Sequence, residues 1–80
     1  MKIRTEYTDT FGGEPNYVWV KRHEETVPDD LSDLAIVRRG KKLAGLNGVP
    51  GEIYQYGDSW VFRPYRLCTV LFIDIVEERQ

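Results

Sequence analysis

The stretch Thr8-Asp9-Thr10-Phe11-Gly12-Gly13-Glu14-Pro15-Asn16-Tyr17-Val18-Trp19 constrains this chain more than any other segment does. Two adjacent glycines let the backbone take φ > 0 without a Cβ clash, which a tight reversal demands. Pro15 then fixes the exit direction and removes one amide donor. The sequence on either side alternates in the manner of a strand with one wet face. Residues 2–9 set Ile3, Thr5 and Tyr7 against Lys2, Arg4, Glu6 and Thr8, and residues 16–25 set Tyr17 and Trp19 against Val18 and Val20. An antiparallel hairpin over residues 2–25, closed by a short Gly-Gly corner, is the expected pairing.

Pro28 cannot donate to a ladder and biases Val27 away from helix, so the second strand ends there. A helix is predicted over about residues 31–46. Asp29, Asp30, Ser32 and Asp33 supply capping oxygens and charges suited to its positive end. Asn47-Gly48 and then Pro50 mark its stop. Ile36, Val37, Gly40, Leu43 and Ala44 form one stripe at helical spacing. Gly40 costs about 1 kcal/mol relative to alanine inside a helix, and close packing against a sheet is the ordinary reason to keep it.

Three strands are predicted at about residues 52–56, 59–63 and 67–76, the first two joined at Gly57-Asp58. The last is apolar at nearly every position, with Asp74 its one ionisable residue. Coverage on both faces is expected for it, as the central strand. The tail Glu77-Glu78-Arg79-Gln80 is expected to be solvated and frayed. The order ββαβββ describes an α+β domain: a five-stranded, mostly antiparallel sheet with one helix packed on one face. A lone helix cannot cover both faces of such a sheet, so part of the second face is exposed or meets a partner.

Eighty residues allow one domain, spanning 1–80. A net charge of −2 argues against a general polyanion binder and against an acidic mimic of nucleic acid. Two Trp, five Tyr and three Phe supply rings that anchor a small core. The lone Cys68 cannot make an intramolecular disulfide and is expected to pack as a small hydrophobe in its apolar run. No cationic start precedes an apolar stretch, and no apolar segment approaches the ~20 residues that span a bilayer. The expected location is therefore the cytoplasm of a host cell, with no membrane partner.

Chemistry-bearing constellations are sparse. His23 sits in the charged run Lys21-Arg22-His23-Glu24-Glu25 and reads as a solvated residue. No serine or cysteine occupies a nucleophile turn. Asp29, Asp30 and Asp33 are accounted for by the helix start, and one cysteine with one histidine makes no zinc site. Gly48-Val49-Pro50-Gly51 lacks the lysine and spacing of a phosphate-cradling loop. No enzyme activity, cofactor or metal is expected. The strongest charge feature is Arg38-Arg39-Gly40-Lys41-Lys42, which reads as a wet helix face or as a contact for phosphate or an acidic protein. Tyr54 and Tyr56 share one side of their strand, as do Trp60 and Phe62 of theirs. A single hairpin face carrying four rings would serve as core, as protein interface or, like an exposed RNA-binding sheet, as a stacking platform.

Residues 8–22, Thr8-Asp9-Thr10-Phe11-Gly12-Gly13-Glu14-Pro15-Asn16-Tyr17-Val18-Trp19-Val20-Lys21-Arg22, resemble the opening of a family of small phage and prophage proteins, T-D-T-F-G-G-E-A-N-Y-x-W-V-R/K-R. Cys68-Thr69-Val70-Leu71-Phe72-Ile73 is similar to that family's C-T-V-x-F-I strand. The likeness extends to Val27-Pro28-Asp29 and to residues 46–49, and departs at Pro15, where alanine is usual. It assigns no activity and no site residue. It implies a mobile-element origin, and small phage accessory proteins commonly act by binding a host protein.

The leading expectation is therefore a noncatalytic protein that binds a host or phage protein, an anti-CRISPR-like inhibitor being one form of it. The alternatives are a nucleic-acid-binding module using the basic helix and a structural homodimer. Candidate contact residues are Arg38, Arg39, Lys41, Lys42, Tyr17, Trp19, Tyr54 and Tyr56.

Overall fold

A computed structural model describes residues 1–10 and 14–76. Five strands and one helix follow in the order β1 (Lys2–Asp9), β2 (Val20–Thr26), α1 (Asp33–Leu43), β3 (Gly51–Tyr56), β4 (Ser59–Pro64) and β5 (Thr69–Val76). They form one open antiparallel sheet in the order β2-β1-β5-β4-β3. The apolar strand β5 is central, as its composition predicts. Fold class and element order match the reading of the sequence.

Register assigns the two faces. Ile3 lies opposite Ile75, Thr5 opposite Ile73 and Tyr7 opposite Leu71. Trp60 faces Ile73 and Phe62 faces Leu71 across the next ladder. With Ile36, Val37 and Leu46 these side chains form the core beneath the helix. The coverage expected for both faces of β5 is partial: Val70, Leu71 and Ile73 are buried, whereas Phe72, Asp74, Ile75 and Val76 are half-buried.

β2 and β3 are opposite edges, so the chain between them must pass over one face, and α1 is placed above the middle strands. It begins at Ser32, whose hydroxyl accepts the Ala35 N–H at 3.2 Å. It ends earlier than Asn47-Gly48. Gly45 takes φ 76°, its N–H meets the Lys42 carbonyl at 3.1 Å, and the Leu46 N–H meets the Lys41 carbonyl at 2.8 Å. That is a Schellman cap, and buried Leu46 is its hydrophobic anchor. Gly40 fulfils the close approach expected of it: a Cβ there would lie 2.5 Å from Ile73 Cδ1.

The β1–β2 connection is longer than a two-residue corner, because β2 starts at Val20 and leaves Tyr17 and Trp19 outside the ladder. Asp9 organises it, its carbonyl accepting the Asn16 N–H at 3.0 Å and its carboxylate the Val18 N–H at 3.2 Å. Tyr17 takes φ 54° there. Gly12-Gly13 and the tail 77–80 lie outside the described residues. Cys68 is a correction: it is exposed, because β5 begins only at Thr69 and Cys68 belongs to the turn after Pro64.

Candidate interaction surface

A helix with its side chains is about 10 Å across, and five strands span about 19 Å between the outer axes. One helix therefore leaves a channel along each flank and most of the opposite face of the sheet uncovered. These three surfaces hold most of the side chains that the sequence singles out.

On the uncovered face, one row crosses every strand: Tyr54 opposes Val61, Val61 opposes Phe72, Phe72 opposes Glu6, and Glu6 opposes Arg22. It runs from an exposed ring, over half-buried aliphatic and aromatic groups, to an Arg22–Glu6 ion pair at 3.7 Å. The adjacent row sets Tyr56 against Ser59, Asp74, Arg4 and Glu24. Ser59 donates to Asp74 at 2.5 Å, and Lys2 reaches Glu24 at 3.8 Å. The row Tyr54–Val61–Phe72 is thus apolar and aromatic between the polar pairs Ser59–Asp74 and Glu52–Arg63, and the β1–β2 half is charged and largely self-paired. Coverage begins only at the far end, where Thr8 and Val70 are fully buried and the Thr8 hydroxyl donates to the Trp19 carbonyl at 2.8 Å. Tyr54 donates its hydroxyl to the Glu52 carboxylate. That hydrogen bond and the carboxylate's charge hold the phenol above its ordinary range.

The four-ring hairpin face is a second correction. Tyr54 and Tyr56 lie on the open face, and Trp60 and Phe62 lie beneath the helix. The signal was in the turn: a two-residue Gly57-Asp58 loop sets Tyr56 against Ser59, and hence Tyr54 against Val61 rather than Trp60. Tyr56 is 66% exposed and Tyr54 42%, while Trp60 is 3% exposed.

The basic run divides around the helix. Arg39 is half-buried and ion-paired to Glu25 of β2, its Nε lying 2.7 Å from Glu25 Oε1. Lys41 points to the other flank, donating to the Val49 carbonyl at 2.7 Å with its ammonium 4.5 Å from the Phe62 ring centroid. Both tie the helix to its surroundings. Arg38 and Lys42 remain exposed and, with Arg39, line a channel of about 410 Å³ floored by Val27, Leu31 and Ala35. Tyr17 and Trp19 sit apart from Tyr54 and Tyr56, at the end of the sheet where β1 meets β2. Trp19 packs edge-on against Tyr7, with centroids 5.3 Å apart.

Reasoning from sequence missed Ile53 and Leu34, both exposed, and the second channel of about 370 Å³ that they line with Asp33, Val37, Gln55 and Trp60. It also missed exposed Leu67, which with exposed Tyr65 precedes Cys68 on the loop bound to Thr10 through a 2.8 Å backbone hydrogen bond. Alternation marks which side of a strand a residue takes, but not where the helix's footprint ends.

Among the described residues no group of three or more His, Cys, Asp or Glu side chains converges as a metal site would require. His23 is exposed on edge strand β2. Comparison with protein-family models, with curated proteins and with solved structures finds no match.

Proposed function

We propose that this chain is a small noncatalytic binding protein of phage or prophage type that docks on a host or viral protein through the sheet face opposite its helix. An anti-defence inhibitor is one form of that role. The observation that carries the reading is the row Tyr54–Val61–Phe72, which offers contiguous apolar and aromatic surface beside a charged rim. Tyrosines at such a position contribute large contact area for little conformational entropy, and a polar rim excludes water around them.

Nucleic-acid binding through the basic helix is the weaker reading. With Arg39 and Lys41 engaged inside the fold, Arg38 and Lys42 are left to neutralise phosphates. Two phosphate contacts correspond to a salt slope of only about −1.8 on duplex DNA.

The test is affinity capture from bacterial lysate with the wild-type chain and with a Tyr54→Ala/Tyr56→Ala variant. A partner retained by the first and lost by the second supports the reading. Equal recovery by both removes the open face from the function.

A further inference from the structure

We infer that β3 is a docking edge. It takes up an extended segment of another protein as a sixth strand, and that segment places an apolar side chain beside Ile53 and a lysine or arginine near Asp33. The inference rests on the protein-binding reading above and names the edge and the kind of partner.

Backbone geometry comes first. In an antiparallel ladder, opposed residues alternate between exchanging both hydrogen bonds and exchanging none. The two-residue turn makes Tyr56–Ser59 a bonded pair, and the Tyr65 N–H to Pro50 carbonyl bond of 3.0 Å has the same parity at the other end. Glu52, Tyr54 and Tyr56 therefore direct their amides and carbonyls at β4. Gly51, Ile53 and Gln55 direct theirs outward, where β3 has no neighbouring strand among the described residues. The side chains of Ile53 and Gln55 line the channel beside the helix. The residues that offer free main-chain hydrogen bonds are thus those that form the receiving groove, as strand addition requires.

The two edges of the sheet are unlike. β2 carries five charged or titratable residues in succession, Lys21 to Glu25, a pattern that discourages edge pairing. β3, Gly-Glu-Ile-Tyr-Gln-Tyr, has no lysine, arginine or proline. Large exposed apolar groups flank it on both faces, Leu34 and Ile53 on one and Tyr54 and Tyr56 on the other.

Charge selects the occupant. Asp33 is the charged side chain in the channel, and no cation lines it among the described residues; Glu52 lies on the other face of β3, opposite Arg63. A second copy paired through β3 would bring no lysine or arginine to Asp33, because that strand carries none. A foreign strand bearing a cation supplies that charge.

The probe is a displayed library of short random peptides selected on the immobilised chain. The expected ligands alternate apolar residues with lysine or arginine, and they lose about tenfold or more in affinity on Ile53→Lys or Gln55→Pro, variants whose fold is verified by circular dichroism. Asp33→Lys should shift selection toward acidic peptides. Hydrogen exchange should show the Ile53 and Gln55 amides becoming protected on peptide binding, with the Tyr54 amide unchanged. Peptides that survive both edge substitutions but are lost with Tyr54→Ala/Tyr56→Ala would overturn the edge inference and leave the open-face reading standing. Failure to select any peptide, or protection of the same amides by rising protein concentration alone, would overturn it as well, the latter assigning β3 to a homodimer.

Discussion

Replacing Gly40 by alanine tests the contact that fixes the helix, and hence both channels, over the sheet. In an unhindered helix the change would add about 1 kcal/mol of stability, because glycine sacrifices more backbone entropy. Here the new methyl carbon would sit 2.5 Å from Ile73 Cδ1, 2.7 Å from Cγ1 and 3.3 Å from Cγ2. Ile73 is fully buried between Thr5 and Trp60 in the ladder, and two of the three atoms are bonded to its Cβ, so a rotation of the side-chain tip relieves only part of the overlap. Overpacking of this kind costs about 1–3 kcal/mol. Three close contacts on one immobile residue place the cost toward the top of that range. The net expectation is a loss of about 1–2 kcal/mol. Ile73→Val removes the closest atom and by itself costs about 0.5–1.5 kcal/mol. Combined with Gly40→Ala it should cost less than the two changes taken separately, by about 1 kcal/mol. Urea denaturation of the four proteins, read at constant m-value, measures that coupling. A Gly40→Ala chain stabilised by the full helix-propensity gain, with strictly additive effects at Ile73, would refute the argument that close packing selects glycine here.

Thr5→Val should raise stability by about 1 kcal/mol in the same assay, because the Thr5 hydroxyl is buried without a partner among the described residues and carries an unrepaid desolvation cost; a loss would mean that the hydroxyl is satisfied in solution. Tyr54→Ala and Tyr56→Ala should each cost about 1 kcal/mol or less, since both rings are substantially exposed and contribute mainly cross-strand contact; a cooperative loss of fold would place them in the core. Glu52→Gln should lower the titration of the Tyr54 phenol toward the ordinary tyrosine value, as the hydrogen bond to a carboxylate and its charge are removed together. Ultraviolet titration against a Tyr54→Phe reference would register the shift, and an unchanged curve would deny that the pair forms.

Much of the architecture was written in local pattern. Two-residue alternation in β1, the turn signals at Pro28 and Gly57-Asp58 and the acidic start of α1 placed every element to within a few residues. They did so because strand and helix periodicities depend on near neighbours. The helix's end was misplaced because two glycine-containing stops, at Gly45 and Gly48, compete within one turn, and the buried Leu46 anchor that favours the first depends on the packed sheet. Cys68 was misplaced for a related reason: an apolar run in sequence says nothing about where a ladder begins.

The candidate surface was half legible. Counting from a two-residue turn would have separated Tyr54 and Tyr56 from Trp60 and Phe62, so that division belonged to the sequence. The fates of the four basic residues did not. Arg39 and Lys41 find Glu25, the Val49 carbonyl and the Phe62 ring only because the fold brings together segments distant along the chain. By itself the sequence determined which residues share a face and that one helix must leave surface bare. The tertiary structure alone decided which bare surface is apolar, which cations are consumed within the fold and which side chains line the channels beside the helix, since each depends on where a helix narrower than the sheet comes to rest.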